Sequence, residues 1–235
     1  MTLNHAPLQR VTLTLENRNV EALLRADTST MLVLQEVAQK QAYRPLTGVP
    51  EPRAILDVGG NQGVTAVYFR LMFPQSRIVS IEPDPATFPI LAENARRLGQ
   101  CDAINLALLD RNGKAAFKSS KISVLSTLYD LPHAGIANEL VSVDLRHSGE
   151  FMDETLQAMG IDRFDMLKID TEGAEVPILQ AMGHRLSEIT TIFLEYHSMA
   201  DRAAIESMLA PSHELKREQL DTPELGSLTF LRRAV

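Results

Sequence analysis

Three acidic residues cluster where an apolar run ends and a helix is predicted to begin. The stretch FDMLKIDTEGAEVPIL, residues 164–179, places Lys168 inside the apolar run and follows it with Asp170, Glu172 and Glu175. A charge in a buried strand is costly unless it is paired. Strand side chains alternate, so Lys168 and Asp170 share one face. We predict that Asp170 reaches the ligand-binding edge of a sheet, between a cofactor and a substrate.

Two of these charges have more than one explanation. Lys168 can pair with a neighbouring acid, Glu195 or Asp57, or it can contact the substrate or a cofactor carboxylate. Glu175 stands near the start of a predicted helix, where the helix dipole favours a carboxylate. We therefore interpret Glu175 as a helix cap and keep Lys168, with Asp170, as a candidate catalytic residue.

The next predicted strand, IFLEYH, ends with Glu195, Tyr196 and His197. Alternation places Glu195 and His197 on one face. An imidazole can accept a proton near neutral pH, so His197 is predicted to be the catalytic base and Asp170 to orient it; a hydrogen-bonded structural histidine is the alternative. These three side chains could also hold a divalent ion. Their spacing matches no metal motif, and we predict no metal site.

A glycine-rich turn follows the first predicted strand, in LDVGGNQG at residues 56–63. A dinucleotide fingerprint that starts at Gly59 would have its second and third glycines at positions 61 and 64. The chain has Asn61 and Val64 there, so a nicotinamide cofactor is disfavoured. Asp57, just before the turn, would repel a pyrophosphate and suits a ligand with an ammonium group. The alternative is a tight strand-to-helix turn without a ligand.

The second predicted strand ends at Glu82, nineteen positions after Gly63. An acid at that strand tip can accept two hydrogen bonds from a ribose diol. A ligand with a ribose, a carboxylate and an ammonium group, but no phosphate, is S-adenosylmethionine. We therefore predict S-adenosylmethionine as the cofactor; a solvated strand end is the alternative reading of Glu82.

Strands alternate with helices from Arg53 onward, which predicts an α/β fold with a mostly parallel central sheet and helices on both faces. In such sheets ligands bind beyond the carboxyl ends of the strands. AINLALL is expected to form one strand, and the stretch from Asp110 to about Ser148 to be irregular. We predict two parts: a helical N-terminal extension over residues 1–50 and the cofactor-binding domain over residues 51–235.

The bulk composition excludes several classes of protein. The chain has 235 residues and a net charge of -7. It has no run of basic residues, which argues against nucleic-acid and membrane partners. Cys101 is the single cysteine, so a cysteine-rich zinc site is excluded and a reducing cytoplasm is expected. Neither the oligomeric state nor the acceptor can be inferred from the sequence.

Three segments, ILDVGGNQGVTAVYF, IEPDP and LKIDTEGAE, resemble the FkbM family of S-adenosylmethionine-dependent methyltransferases. The resemblance covers roughly residues 54–199. It departs at VSVDLRHSGEF, where only Val143, Asp144 and Leu145 fit the family's pattern. It implies a Rossmann-like class I methyltransferase fold and O-methylation of a small molecule, sugar or polyketide-type acceptor. The expected cofactor-binding residues are Asp57, Gly59, Gly60, Asn61, Gly63, Glu82, Pro83, Asn105, Leu106 and Asp170.

Two other functions are weighed against this one. A module that binds the cofactor without catalysis would need no acids at the strand tips, so Asp170 and its neighbours argue for an enzyme. A nicotinamide-dependent oxidoreductase is disfavoured by the missing glycines. Turnover of the cofactor to S-adenosylhomocysteine separates a methyltransferase from both.

Overall fold

The computed structural model describes residues 6–15, 17–35, 37, 42–120, 127–128 and 137–234. The strands are β1 (Leu8–Leu15), β2 (Arg18–Arg25), β3 (Ala54–Val58), β4 (Arg77–Ile81), β5 (Cys101–Ile104), β6 (Ala107–Leu109), β7 (Gly113–Ser120), β8 (Ala137–His147), β9 (Met166–Ile169), β10 (Thr191–Tyr196), β11 (His213–Leu220) and β12 (Gly226–Arg232). The helices are α1 (Thr28–Leu34), α2 (Val64–Met72), α3 (Phe88–Leu98), α4 (Ser148–Met159), α5 (Glu175–Met182) and α6 (Met199–Leu209), and a 3₁₀ helix spans Gly183–Glu188.

The central sheet has seven strands in the order β11-β12-β10-β9-β3-β4-β5. The five strands from β10 to β5 are parallel, and β12 runs antiparallel to both of its neighbours. The strand order reverses between β3 and β9, because the chain builds β3, β4 and β5 outward on one side and β9 and β10 on the other. The carboxyl ends of β3 and β9 therefore form a topological switch point, where ligands bind in open α/β sheets.

The middle strands are apolar because both faces of the sheet are covered. All five residues of β3 and all four of β9 are buried. On one face, Leu56, Leu167 and Leu194 belong to a core that also contains buried residues of α4, α5 and α6. On the other face, Ile55 and Phe193 belong to a second core with α2 and β2. The prediction of a mostly parallel sheet with helices on both faces is confirmed.

The prediction of a helical N-terminal extension is wrong for residues 8–25, which form the antiparallel hairpin β1–β2. In β2, Val20, Ala22 and Leu24 face inward with period two, whereas Val20, Leu23 and Leu24 also fit a helical repeat. Packing against α2 and α3 decides for the strand. The predicted helix is observed as α1, and Asp27 caps it by accepting a hydrogen bond from the Thr30 amide. The remaining part of the predicted helix, at residues 36 and 38–41, lies outside the described residues.

The segment predicted to be irregular also forms strands. A three-stranded sheet has the order β6-β8-β7, with β6 parallel and β7 antiparallel to β8. The predicted strand AINLALL is divided between β5 and β6 at Asn105, so its two halves belong to different sheets. In β7, Phe117 and Ser119 are buried while Lys114 is exposed. This alternation was hidden by lysine, serine and glycine, which are poor indicators of strands.

The sheet also has an edge strand that was not predicted. The sequence HELKREQL of β11 is rich in charge, but its inward positions alternate with exposed ones, as in a half-solvated edge strand. Within the described part of the chain, no helix is long and apolar enough to cross a membrane.

Candidate functional site

A cavity of about 400 Å³ opens at the carboxyl ends of β3, β4, β9 and β10. Its floor carries the charged side chains Lys168, Asp170, Glu172 and Glu195, and its far wall is the apolar face of α1 with parts of the small sheet. Of the residues predicted to bind the cofactor, six line the cavity: Gly59, Asn61, Glu82, Pro83, Leu106 and Asp170.

The glycine turn uses its own amide groups. The amides of Gly59 and Gly60 both donate to the Ile81 carbonyl, at 3.0 and 2.8 Å. The Asn61 amide donates to Glu82 and the Gly63 amide to the Gly60 carbonyl, both at 2.8 Å. A phosphate-binding turn needs free amides directed at the anion. This turn has none among these four residues, so it does not suit the pyrophosphate of a dinucleotide.

Gly59 is required by its backbone neighbours. Its φ is +84°, and a Cβ built on it would stand 1.8 Å from the Asp170 carbonyl oxygen. The turn after β3 therefore packs directly on the chain that leaves β9. Gly60 is constrained in a similar way, because a Cβ there would lie 2.1 Å from Ser80 Oγ. These glycines bring the tips of three strands together, and Gly60 and Gly63 are not among the described residues that line the cavity.

Glu82 follows β4 directly and lines the cavity. Its Oε2 accepts a hydrogen bond from the Asn61 amide and its Oε1 from the Asp84 amide, both at 2.8 Å. The residue is 7% exposed. Burial raises the pKa of the Glu82 carboxyl to about 8, although the two amide bonds partly oppose that shift. Each carboxyl oxygen can still accept one further hydrogen bond from a ligand.

Asn105 binds the backbone that follows β4. Its side-chain amide donates to the carbonyls of Glu82 and Pro83, at 2.8 and 3.1 Å. It fixes the path of the chain after β4 and is not among the described residues that line the cavity, so its position does not support the predicted contact with the cofactor. Leu106, the next residue, does line the cavity and supplies an apolar wall.

Lys168 is a buried cation shared between two acids. Its Nζ lies 3.5 Å from Asp57 Oδ1 and 3.3 Å from Asp170 Oδ2, and it donates to the Gly59 carbonyl at 2.7 Å. The side chain is 1% exposed. Of the two interpretations of Lys168, pairing with Asp57 is the one that the geometry supports. This arrangement joins the tips of β3 and β9 through charge.

Asp57 does not reach the cavity, contrary to the prediction that it contacts the cofactor. It is fully buried, accepts a hydrogen bond from Ser80 Oγ at 2.6 Å, and has Lys168 on its other side. Burial raises the pKa of the Asp57 carboxyl, while the Lys168 charge and the Ser80 bond lower it. The sequence placed Asp57 at a strand tip, but Lys168 on the neighbouring strand covers it.

Asp170 and Glu195 stand side by side at the cavity floor. Ile169 pairs with Leu194 in the parallel ladder, so the residues that follow are neighbours across the two strand tips. Both residues line the cavity. Burial raises the pKa of the Asp170 carboxyl, but the positive charge of Lys168 lowers it, and the net shift is downward. The predicted position of Asp170, at the edge of the sheet, is therefore observed.

His197 is placed differently from the prediction. Because β10 ends at Tyr196, strand alternation does not continue to His197. Its Nε2 lies 3.2 Å from Glu172 Oε2 and its Nδ1 3.6 Å from Glu175 Oε2, with the side chain 5% exposed. Burial lowers the pKa of the imidazole, but the two carboxylates outweigh it and raise that pKa to about 12. A histidine that stays protonated cannot accept a proton at neutral pH, so its assignment as the base is wrong.

Glu175 lies in the first turn of α5, as predicted, but it does not cap the helix with a side-chain hydrogen bond; it holds the preceding turn instead. Its Oε1 accepts hydrogen bonds from the amide and the hydroxyl of Thr171, at 2.9 and 3.0 Å. The Gly173 amide lies 3.1 Å from its Oε2. His197 completes this arrangement as the cation between two carboxylates. In the described part of the chain, no three His, Cys, Asp or Glu side chains are placed to hold a metal ion.

One set of residues at the site was missed by the sequence interpretation. Gln62 accepts a hydrogen bond from the Arg25 amide at 2.8 Å and donates to Thr30 Oγ1 at 3.2 Å. Asn94 donates to the carbonyls of Leu23 and Gln62, at 2.8 and 2.7 Å. These contacts attach β2 and α1 to the glycine turn. No residue type within residues 1–35 signalled this docking, because its partners on the hairpin are mainly backbone groups.

The model of the methyltransferase FkbM domain matches residues 57–219, which is more than half of the chain. The matched region contains the glycine turn, Glu82 and the floor of the cavity.

Two curated relatives are similar to the chain. "Methyltransferase 1" of Beauveria bassiana is 30% identical over 152 residues, covering 57% of this chain and 59% of that protein. "2-O-methyltransferase NoeI" of Sinorhizobium fredii is 26% identical over 186 residues, covering 74% of this chain and 72% of that protein. The chain thus spans somewhat less than two thirds of the first relative's length.

Solved structures share the fold. The precorrin-6y C5,15-methyltransferase of Geobacter metallireducens superposes with a TM-score of 0.51 at 10% identity, covering 85% of this chain and 89% of that one. This likeness confirms the predicted Rossmann-like methyltransferase fold.

Proposed function

Because the chain belongs to the FkbM methyltransferase family, we propose that it transfers a methyl group from S-adenosylmethionine to a hydroxyl group of a small molecule. S-adenosylmethionine is the methyl donor of this family, which confirms the predicted cofactor. The observation that carries the proposal is a single cavity with Glu82 at one strand tip and the Asp170–Glu195 pair at two others. A binding acid and a proton-accepting pair thus face one space.

The residues present fit this cofactor. Glu82 has free acceptor capacity for a ribose diol, and Leu106 and Ile81 supply apolar walls for a base. The acids at the floor suit a ligand that carries positive charge. The amide groups of the glycine turn already donate hydrogen bonds within the protein, which suits a ligand that has no phosphate. When bound, S-adenosylmethionine supplies a methyl group on a positively charged sulfur.

The acceptor hydroxyl is held by the carboxyl groups of the floor. Asp170 and Glu195 both line the cavity and can accept its hydrogen bond and then its proton. Lys168 is a positioning residue, since its Nζ fixes Asp170 and does not need to touch the acceptor. The apolar side chains of α1, Leu32 and Val33, close the far side and limit the access of water.

Transfer to oxygen, and the division of labour along the chain, are parts of the same proposal. The relative named "2-O-methyltransferase NoeI" supports an oxygen acceptor, and so does the acidic floor, which can take a hydroxyl proton. Residues 51–235 form the cofactor-binding domain, and residues 1–50 supply the β1–β2 hairpin and the α1 wall. The hydrogen bonds of Gln62 to Arg25 and Thr30 support the role of residues 1–50 as a wall of the cavity.

The experiment is mass spectrometry of candidate acceptors incubated with the protein and methyl-labelled S-adenosylmethionine. Sugars, polyketides and small alcohols are offered as separate pools. We expect formation of S-adenosylhomocysteine and one labelled O-methyl product, both lost in Asp170→Asn. A product labelled on nitrogen or carbon would refute transfer to oxygen. Binding without turnover in every pool would favour a cofactor-binding module.

A further inference from the structure

We propose that Glu172 binds a second hydroxyl group of the acceptor, on the carbon next to the one that carries the methylated hydroxyl. The acceptor is then a molecule with hydroxyl groups on adjacent carbons, such as a sugar or a cyclic diol. This inference rests on the proposed function, because it concerns the acceptor in the same cavity. It goes further in assigning Glu172 a binding role and in naming the hydroxyl pattern of the acceptor.

The first argument is the position of Glu172. It lies in the turn between β9 and α5, two residues after Asp170, and both side chains line the cavity. The exposed fraction of the side chain is 24% for Asp170 and 18% for Glu172. Two residues of chain span at most about 7 Å, so the two acids serve one small region. An acceptor whose hydroxyl is held by Asp170 therefore places its neighbouring atoms close to Glu172.

The second argument is the acceptor capacity of the Glu172 carboxylate. Its Oε2 lies 3.2 Å from Nε2 of His197. The two oxygens of a carboxylate offer about four sites that accept hydrogen bonds, and this contact uses one of them. A hydroxyl group donates a hydrogen bond, so a partly exposed carboxylate at the cavity wall suits an alcohol.

The third argument separates Glu172 from Glu175, the other acid beside His197. Glu175 is fully buried, is not among the described residues that line the cavity, and accepts hydrogen bonds within its own turn. The positive charge of His197 lies between the two acids and favours the ionised form of both. Burial raises the pKa of the Glu172 carboxyl, and the bond from His197 limits the rise. Glu175 thus holds the turn, and Glu172 is the acid that faces the cavity.

The backbone of Glu172 provides a fourth argument. Its φ is +55°, in the left-handed region that glycine adopts easily and that costs other residues free energy. The conformation is held by its surroundings, because Thr127 Oγ1 donates to the Glu172 carbonyl at 2.7 Å and Glu175 binds the amides on either side. A glycine here would relieve the strain but would remove the carboxylate. Strain of this kind occurs where a side chain serves a ligand.

Glu172 takes no proton in this arrangement. The hydroxyl that receives the methyl group gives its proton to the cavity floor, while the neighbouring hydroxyl keeps its proton and donates a hydrogen bond to Glu172. The carboxylate therefore selects which of two adjacent hydroxyl groups faces the methyl donor. Because this bond is present before and during transfer, its loss should weaken acceptor binding more than it slows the transfer step.

The test measures transfer from methyl-labelled S-adenosylmethionine to two sets of acceptors at about pH 8, where carboxyl groups are largely ionised. The first set has adjacent hydroxyl groups: methyl glycosides of glucose, galactose, mannose and fucose, and the cis and trans cyclohexane diols. The second set has single hydroxyl groups: cyclohexanol and the monomethyl ethers of the same diols. Products are identified by mass spectrometry, and kcat and KM are measured for the wild type, Glu172→Gln, Glu172→Gly and the surface variant Glu214→Gln.

We expect the wild type to label acceptors of the first set, with kcat/KM at least about 10-fold above that for cyclohexanol. Glu172→Gln should raise KM for these acceptors by about 10- to 100-fold and change kcat by less than about threefold. Glu172→Gly should give the same shift in KM, and it retains the turn because glycine adopts a positive φ freely. Both variants should keep the wild-type affinity for S-adenosylmethionine, and Glu214→Gln should behave as the wild type.

Preferred labelling of the single hydroxyl groups, or an equal KM in the wild type and both Glu172 variants, would overturn the inference while leaving the proposed function intact. A loss of kcat and of cofactor affinity without a change in KM would also overturn it, because Glu172 would then serve the fold alone. Absence of product from both sets would overturn the inference, and absence of product from every wider acceptor pool would overturn the proposed function as well. The two failures are therefore distinguishable.

Discussion

The raised pKa of Glu82 predicts that ligand affinity depends on pH. In the ligand-free protein, burial raises the pKa of this carboxyl to about 8, so most of it is protonated at pH 7. A ribose diol donates hydrogen bonds and prefers the ionised form. Raising the pH through about 8 therefore increases the fraction of protein that binds a ribose well, and affinity rises with pH and levels above the pKa.

The size of the effect follows from the same value. With a pKa of about 8, the ionised fraction is about one hundredth at pH 6 and about nine tenths at pH 9. If only the ionised form bound, affinity would rise by a factor of about 90. Bonds to a charged acceptor contribute about 1.5–3 kcal/mol, which sets a range of about 10- to 150-fold. We expect a rise of about 10- to 90-fold between pH 6 and pH 9.

Adenosine is the appropriate probe, because it carries the ribose but no group that ionises between about pH 6 and pH 9. Its affinity is measured by calorimetry across that range for the wild-type protein and for Glu82→Gln. The variant should bind weakly and with no dependence on pH. Glu214→Gln, an exposed acid on β11, should retain the wild-type curve.

The reasoning fails if adenosine binds the wild-type protein with the same affinity at pH 6 and pH 9. It fails equally if Glu82→Gln shows the same rise as the wild type. Either result would mean that another group controls the affinity, or that the ribose lies elsewhere.

Three further variants test the structural roles at the site. Gly59→Ala should lower the free energy of unfolding, measured by urea denaturation, by several kcal/mol more than Gly48→Ala. Both glycines have a positive φ, but only at Gly59 would a Cβ stand 1.8 Å from a backbone oxygen. Equal losses in the two variants would contradict this reasoning. The pKa of His197 is raised to about 12, so its contribution to stability is complete below its ordinary pKa of 6.5 and is lost as the pH rises towards 12. The free energy of unfolding of the wild type should therefore fall by up to about 3 kcal/mol between pH 6.5 and pH 9, and that of His197→Gln should depend less on pH. An unchanged slope in the variant would contradict the ion pairs of His197. Lys168→Met should lower the free energy of unfolding by about 3–5 kcal/mol, because it leaves Asp57 buried without its cation. Adding Asp57→Asn to this variant should recover part of the loss. Purely additive losses would show that the two side chains do not interact.

The sheet and its binding edge were predictable because they depend on local rules. A continuous apolar run such as AILDV indicates a strand covered on both faces, and the glycines after it indicate a sharp turn. Acids that follow such strands must lie at one edge of a parallel sheet. The positions of Glu82 and Asp170 follow from these rules, and both line the cavity.

The parts that could not be predicted depend on tertiary contacts. The sequence of β2 fits both a strand period and a helix period, and packing on α2 and α3 selects the strand. His197 was assigned to the cavity by extending the alternation of a strand that ends one residue earlier. Asp57 is at a strand tip as predicted, but the neighbour that covers it, Lys168, is more than a hundred positions away in the sequence.

The most direct test of the central claim is a calorimetric titration of the protein with S-adenosylmethionine at about pH 8, beside the variants Glu82→Ala and Glu214→Ala. We predict one binding site per chain in the wild type, unchanged affinity in Glu214→Ala, and affinity about 10- to 100-fold weaker in Glu82→Ala. Failure of the wild-type protein to bind S-adenosylmethionine, or equal affinity in Glu82→Ala, would contradict the assignment of this cavity as the cofactor site.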